Sequence, residues 1–419
     1  KRSKHHTQGG FKLMPIISID NNQGVLNFID NLNLKLSKPQ LSHLLNLMTG
    51  IVNIDGKRNI SNISNKILQA KERSCITKFL NNSPWDEDLL NNARIKYALQ
   101  RISPKEEEPI FVAIDDTVIP KSKNTKHIEG LGYHFSHSEG KVLWSHCIVS
   151  SQVITEEHSF PLGFEQYLNK KYCTENQLEF NSKIDIACNL LELFHQFNNN
   201  KNHSIYFLTD SWFTSKKIIE KSLSYGYHLI GGVKTNRCIY PQGIKIKISD
   251  FVGYIEDNDL DVVTVKGKKY KVYRYEGGIN GIDNAVVLIC WEADSTVEKP
   301  TCIMSTDIEL STITILEYYS KRWNIETSFL YLKDRLGLKH YQMRKLKGLK
   351  RFWSIVYLAY TYVEVYRFRK SQEQKEFTLG DAIRSIKGVT FQDLIKFIYH
   401  KAANNVAIDE LFKILKIAT

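Results

Sequence analysis

The sequence predicts an α/β fold, in which buried strands alternate with helices and helical regions flank the sheet at both ends of the chain. Residues 110–114 and 204–209 are short, continuous apolar runs rich in β-branched and aromatic residues, which is typical of buried strands. Over residues 235–300, alternating β-like segments are separated by glycine-containing turn signals, and this pattern predicts a β-rich insertion. Strands alternating with helices favour an α/β core.

Changes in these patterns divide the chain into four predicted regions. A loose, polar arm followed by helices makes a helical region over residues 1–103. The α/β core is predicted over residues 104–234 and 301–347, with the β-rich insertion over 235–300 between its two parts. Residues 348–419 are predicted to form a C-terminal helical region.

Composition limits the function classes. The formal net charge of +12 and the pI of about 9.1 indicate a polyanionic partner, although a basic protein with no nucleic-acid role has the same charge. The seven cysteines are scattered, without CxxC spacing, which argues against a zinc or disulfide framework and fits a reducing cytosol. We see neither a secretory signal nor an apolar run of the roughly 18 residues that span a bilayer, so we expect a cytoplasmic protein with no membrane partner.

Two predicted strands each end in an aspartate. The first apolar run is followed by Asp115 and Asp116, and the second by Asp210. Ligand sites in open α/β sheets collect at the carboxyl ends of strands, so Asp115 and Asp210 converge if their strands are neighbours. Two magnesium ions about 3.5–4 Å apart, held by carboxylates, can activate a nucleophile and stabilise the leaving oxygen of a phosphodiester. A turn or helix cap explains each aspartate equally well when it is taken alone.

A third acid lies on a helix predicted from about Ser311 to Arg335. Tyr319, Arg322, Glu326 and Lys333 fall on one face of that helix at 3.6 residues per turn. Glu326 can reach a metal ion while the two cations meet phosphates and the tyrosine stacks on a base. The alternative is a solvated helix face carrying an ordinary i,i+4 ion pair.

Together these residues resemble the DDE transposases of bacterial insertion sequences, in the branch whose glutamate helix carries a Tyr-x2-Arg-x3-Glu-x6-Lys motif. Here the motif stands as Tyr319, Arg322, Glu326 and Lys333 with every spacing kept. Residues 111–117 are similar to the family's first-aspartate strand, and residues 208–213 are similar to its second. The predicted insertion lies where this branch carries one.

The resemblance implies a ribonuclease H-like core, with two Mg²⁺ or Mn²⁺ ions held by Asp115 or Asp116, Asp210 and Glu326. Its place directly after the apolar run favours Asp115 over Asp116 as the ligand. It also implies hydrolysis at transposon ends to a free 3′-hydroxyl, followed by strand transfer into target DNA. A homodimer that pairs two DNA ends and a location at the bacterial nucleoid follow from the same resemblance. A ribonuclease H-like nuclease that cuts without joining, and a domesticated, inactive DNA-binding protein, remain alternatives.

We expect the helical region over residues 1–103 to bind DNA, and further residues are candidates for DNA contact. In this family an aromatic residue of the insertion often holds a flipped base, and Trp291 is the candidate here, although a core tryptophan is the alternative. Lys234 and Arg237 could follow a DNA backbone. A basic run follows the glutamate helix and contains Lys339, Arg344, Lys345, Lys347, Lys350 and Arg351. This run is either a track that contacts DNA phosphates or a solvated face.

Overall fold

The structure is a computed structural model that describes residues 23–68, 70–102, 104–137, 139–200, 202–279, 281–293 and 299–415. The predicted N-terminal arm therefore lies largely outside the described residues. The chain splits into two compact units, residues 1–87 with 336–419, and residues 88–335. The sequence prediction separated an N-terminal and a C-terminal helical region, whereas the structure groups them in one unit because helices distant in sequence pack together there.

The helices and strands are described here in chain order. In the part of the chain that is described, no helix combines the length and low polarity that crossing a membrane requires. The helical elements are α1 (Gln23–Asp30), α2 (Lys38–Asn53), α3 (Ile60–Lys66), α4 (Arg73–Asn81), α5 (Glu87–Leu99), α6 (Lys170–Glu175), α7 (Lys183–Phe197), α8 (Lys216–Ser224), α9 (Ile248–Phe251), α10 (Thr312–Ser320), α11 (Trp323–Leu330), α12 (Leu346–Ser371), α13 (Leu379–Ala403) and α14 (Ile408–Ile414). The strands are β1 (Ile110–Pro120), β2 (Gly132–Ser136), β3 (Lys141–Ile154), β4 (Ser159–Tyr167), β5 (Ile205–Thr209), β6 (His228–Val233), β7 (Cys238–Ile239), β8 (Ile246–Lys247), β9 (Asp261–Val265), β10 (Lys268–Ile279), β11 (Ile282–Glu292) and β12 (Thr301–Ser305).

The helical unit is built around α12, which packs against α2, α4 and α13. Arg351 of α12 is 1% exposed, and its guanidinium bonds Glu87 at 2.9 Å and the Ser83 carbonyl at 2.9 Å. It also donates to carbonyls at the end of α4, which have no partner within that helix. Arg351 therefore stabilises a helix terminus, and the sequence prediction that placed it in a phosphate-facing basic run was wrong.

The second unit is built on one mixed sheet. Its core strands lie in the order β4-β3-β1-β5-β6, with β3 antiparallel to β1 and with β5 and β6 parallel to it. Helix α7 packs against β3 and β4, and α8 packs against β6. A mixed α/β fold was predicted, and the sheet confirms it. The strands β2 and β4 were not predicted, since β2 lies in a segment that reads as a polar loop.

The first-aspartate strand is longer than predicted. β1 continues past Asp115 and Asp116 to Pro120, because its antiparallel partner β3 extends the ladder as far as Ser145. Only the parallel pairing of β1 with β5 stops at Ile114. The aspartates therefore lie inside a strand, at the point where it loses one of its two neighbours.

The predicted β-rich insertion does not form a separate layer. β12 pairs with β6, β11 with β12, and β10 with β11, all antiparallel, so these strands continue the same sheet. The strands predicted near 261–265, 271–275 and 285–291 are present as β9, β10 and β11. β9 pairs with β10 and β10 with β11, each with its neighbour in sequence. The pairing of β12 with β6, which connects this segment to the core strands, could not be predicted because it joins segments far apart in the chain.

The predicted helix over 311–335 changes pitch twice. α10 and α11 are joined by residues 321–322, where backbone bonds of the i→i−3 type tighten the turn, and residues 331–335 form a π-helical turn. The uniform 3.6-residue period assumed from the sequence is therefore wrong in detail. Such irregular turns occur often at functional sites in helices.

Candidate active site

Asp115 and Asp210 lie at the same edge of the parallel strands. The parallel ladder between β1 and β5 ends with the pair of Ile114 and Thr209. Asp115 and Asp210 are the next residues of the two chain segments. The Asp115 side chain is only 18% exposed. Burial, and then the negative charge of Asp210, raises the pKa of Asp115 to about 7, although the charge of Arg322 opposes this. The negative charges of Asp115 and Asp210 therefore act on each other and are only partly compensated by Arg322.

Asp210 is oriented by the loop that follows it. Its Oδ1 accepts hydrogen bonds from the backbone N–H groups of Trp212 at 2.9 Å and Phe213 at 2.8 Å. Ser215 is the N-cap of helix α8, so Asp210 forms an Asx turn and not a helix cap. Within the described residues no group donates to Oδ2, so this oxygen is not committed to the loop.

Arg322 joins the first aspartate to the glutamate. Its Nη1 donates to Asp115 Oδ2 at 3.1 Å, and its Nη2 donates to Glu326 Oε1 at 2.8 Å. The guanidinium carbon lies 5.9 Å from the centroid of the Tyr319 ring. Three of the four motif residues therefore lie together beside Asp115, namely Tyr319, Arg322 and Glu326. The i,i+4 ion pair between Arg322 and Glu326, which a solvated helix face would also have, is part of that cluster.

Asp116 lies in a different environment from Asp115. Its Oδ2 accepts a hydrogen bond from Lys183 Nζ at 2.9 Å and from the Cys147 thiol at 3.3 Å. Lys183 Nζ also lies 5.3 Å from the centroid of the Trp212 ring. Side chains alternate across a strand, so the two neighbours face opposite sides of β1. The structure thus places Asp116 in a half-buried ion pair and Asp115 beside the other acids.

The donor set fits a hard divalent cation in its chemistry. Asp115 and Asp210 offer carboxylate oxygens, and Mg²⁺ commonly takes one or two protein carboxylates together with water and phosphate. Burial and then the charge of Asp210 raise the pKa of Asp115, and a cation there would stabilise the charged form of Asp115 against both. Among the described residues, no three His, Cys, Asp or Glu side chains are placed closely enough to hold one ion together. The Glu326 carboxylate contacts Arg322 instead.

The other predicted DNA-contacting residues of this unit are spread along it. Lys333 is half-buried in the π-helical turn, Trp291 is half-buried on β11, and Lys234 is exposed after β6. Arg237 Nη2 donates at 2.9 Å to the carbonyl of Thr214, in the loop that follows Asp210. At least one nitrogen of Arg237 therefore supports that loop.

The basic residues predicted after the glutamate helix belong to the helical unit. Arg344, Lys345 and Lys347 are exposed where the chain enters α12. Arg344 and Lys345 line a cleft of about 390 Å³ together with Arg73 of α4. The remaining lining residues are polar or apolar and none is acidic, so the cleft suits an anionic group.

Two residues that the sequence reasoning missed shape the site. A Cβ at Gly232 of β6 would lie 2.9 Å from the Tyr319 hydroxyl oxygen and 2.9 Å from the Ser211 amide nitrogen, so only glycine lets the motif tyrosine and the Asp210 loop approach this closely. The Gly231-Gly232 pair inside a strand was the available signal. Lys183 had none, because a single lysine at the start of a helix is ordinary in sequence.

The chain matches a family of known proteins. A family model described as DDE superfamily endonuclease matches residues 31–248, just over half of the chain. The match includes Asp115 and Asp210 and ends before Glu326. Among curated proteins none matches the chain.

Proposed function

Since the chain belongs to the DDE superfamily endonucleases, we propose that it is a transposase, which hydrolyses DNA at transposon ends and joins the freed 3′-hydroxyl to another strand. One observation carries this proposal. Asp115, Asp210 and the Arg322–Glu326 pair meet beside one sheet edge, in the chain order Asp, Asp, Glu. The family description names an endonuclease. The joining of the 3′-hydroxyl to another strand is what we propose beyond it.

The sheet supports a ribonuclease H-like core. In the strand order β4-β3-β1-β5-β6, the central strand has an antiparallel neighbour on one side and two parallel strands on the other. The ribonuclease H-like core that the resemblance implied is therefore part of our proposal. This strand order brings the carboxyl end of β5 next to the middle of β1, which is where the two aspartates lie.

We assign the ion-binding role to Asp115, Asp210 and Glu326, with Mg²⁺ or Mn²⁺ as the ions. When bound, two such ions would supply an activated oxygen nucleophile and charge stabilisation for the leaving oxygen. Asp115 is preferred over Asp116 because Asp116 already pairs with Lys183 at 2.9 Å. The Asx turn at Asp210 fixes one of its oxygens and so sets the direction of the other.

The cations and aromatic residues around the acids would hold the DNA. Arg322 presents a planar fork that matches a phosphate, and Lys333 adds a point charge on the following turn. Tyr319 lies against Arg322, where it can stack on a base or donate to a phosphate. Exposed Lys234 and half-buried Trp291 stay proposals for backbone and flipped-base contact, as do Arg344, Lys345 and Lys347 for the backbone of the transposon end.

Transposon-end DNA and target DNA are the proposed partners, and pairing two ends calls for two copies of the chain. The test is cleavage and joining of a labelled terminal-repeat duplex with Mg²⁺ or Mn²⁺. We expect metal-dependent nicking followed by joined products. Nicking without joined products would instead indicate a nuclease, and tight binding with neither reaction would indicate an inactive DNA-binding protein.

A further inference from the structure

One guanidinium occupies the space between two of the proposed ion ligands. Arg322 donates from Nη1 to Asp115 Oδ2 at 3.1 Å and from Nη2 to Glu326 Oε1 at 2.8 Å. The side chains of Arg322 and Asp115 are 17% and 18% exposed, so solvent only weakly screens their contact. The fork thus spans acids supplied by two elements, β1 and α11.

Both oxygens of Asp115 already accept hydrogen bonds, Oδ2 from Arg322 at 3.1 Å and Oδ1 from the N–H of Asp116 at 2.8 Å. A magnesium ion coordinates oxygen at about 2.0–2.1 Å and demands near-octahedral geometry, which a guanidinium lying against both carboxylates would obstruct. The two positive charges would also repel each other at short range in a partly buried site. Arg322 therefore hinders ion binding by Asp115 and Glu326 as long as it contacts both of them.

We propose that Arg322 is a positioning residue that exchanges partners: it holds Asp115 and Glu326 in the metal-free protein and moves to a DNA phosphate when a divalent ion takes the carboxylates. This inference rests on the proposed function. Ion binding and DNA binding are then coupled through one side chain. Each ligand removes a contact that hinders the other, so each raises the affinity for the other by the same factor.

The local helix geometry favours a change confined to the side chain. Arg322 lies in the tightened junction between α10 and α11, where its N–H bonds the Tyr319 carbonyl at 3.0 Å and its carbonyl accepts from Ile325 at 3.1 Å. The backbone is thereby held from both directions. The long arginine side chain can swing while the Glu326 backbone stays in place.

The measurement is Mn²⁺ binding to the full chain, by calorimetry or by the EPR signal of free Mn²⁺, with no DNA and then with a DNA duplex. In the absence of DNA, Arg322→Gln is expected to bind Mn²⁺ between about 5- and 150-fold more tightly than the parent, the usual range of coupling between two sites. DNA should tighten Mn²⁺ binding to the parent by a larger factor than to the variant, in which only the phosphate oxygens that DNA offers to the ion contribute. Arg322→Lys, which keeps the charge and loses the fork, should fall between the two.

The matched control is Lys321→Gln, which removes the same charge from the adjacent position and should bind Mn²⁺ as the parent does. Equal or weaker Mn²⁺ binding by Arg322→Gln, or an equal gain in the Lys321 variant, would overturn the proposal. If neither the parent nor Arg322→Gln binds Mn²⁺ with or without DNA, the ion-dependent function proposed above fails as well. If the parent binds and Arg322→Gln gains nothing, only the exchange of partners fails.

Discussion

Asp115 and Asp116 are adjacent aspartates with different surroundings. Asp115 faces Arg322 and the charge of Asp210, whereas Asp116 forms an ion pair with Lys183 in which the two side chains are 15% and 18% exposed. Breaking a buried pair costs more than breaking an exposed one, because it leaves an uncompensated charge. Asp115 is therefore suited to bind a cation, whereas Asp116 holds the start of α7 against β1 through Lys183.

We predict that Asp115→Asn reduces metal-dependent cleavage at least roughly 100-fold, the scale on which removal of one preorganised electrostatic group acts. Asp116→Asn should lose far less cleavage. It should instead lower the free energy of unfolding by about 1–3 kcal/mol, because Lys183 is left half-buried without its carboxylate. Single-turnover cleavage and urea unfolding measure the two effects. A larger cleavage loss in Asp116→Asn would reverse the assignment.

The sequence favours Asp115 over Asp116 only by its place directly after the apolar run. Strand alternation predicts that they face opposite sides, but it does not identify which side holds the site. That depends on Lys183, which is 67 residues further along the chain, and on Arg322, which is 207 residues from Asp115. The resemblance pointed to the pair of aspartates, and the packing of Lys183 and Arg322 distinguishes one from the other.

At the scale of elements, the helical segment after β12 shows how far periodicity can be used. The motif spacing placed Tyr319, Arg322 and Glu326 on one face, and the structure does bring them together. It does so through a tightened turn at residues 321–322 and a π-helical turn at 331–335. Hydrophobic periodicity cannot predict such turns, because each shifts the register by less than one residue.

The close contact between β6 and α10 gives a second prediction. Gly232→Ala puts a Cβ 2.9 Å from both the Tyr319 hydroxyl oxygen and the backbone nitrogen of Ser211, and a backbone atom cannot swing aside. We expect a loss of about 1–3 kcal/mol in the free energy of unfolding, as for overpacking in general. Cleavage should fall roughly 100-fold, because a displacement of about 1 Å in a catalytic group has that effect.

Gly253→Ala is the matched control, since among the described residues a Cβ there meets no atom within 4 Å. It should change neither property. Parent-like cleavage and stability in Gly232→Ala would show that the Tyr319 and Asp210 segments do not depend on this close approach. Thermal unfolding and single-turnover cleavage distinguish these outcomes.

At the scale of the whole molecule, the sheet is larger than the sequence predicted. The strands of the predicted β-rich insertion are present, and they continue the core sheet through β12, which alternation and turn signals did not predict. The grouping of residues 1–87 with 336–419 was likewise not predicted. Both features depend on contacts between distant segments, for which one sequence carries no direct signal.

The net charge of +12 also belongs to this scale, and it predicts salt-dependent DNA binding. Changing Arg344 and Lys345 of the basic cleft to Ala should weaken binding uniformly across sequences and reduce the slope of log K against log salt by roughly 2. The control changes Lys396 and Lys413, two exposed lysines outside the cleft, to Ala and removes the same charge. Equal slopes for the two double variants would contradict a specific role of the cleft.

The central claim is that Glu326 acts with the two aspartates in cutting DNA. The most direct test compares the parent, Glu326→Gln and Glu317→Gln on a labelled terminal-repeat duplex with Mg²⁺ or Mn²⁺. Each variant replaces one carboxylate of the α10–α11 segment by an amide of the same shape, and Glu317 is exposed. We expect both nicking and joining to be lost only in Glu326→Gln. Parent-like nicking and joining by Glu326→Gln would contradict the central claim.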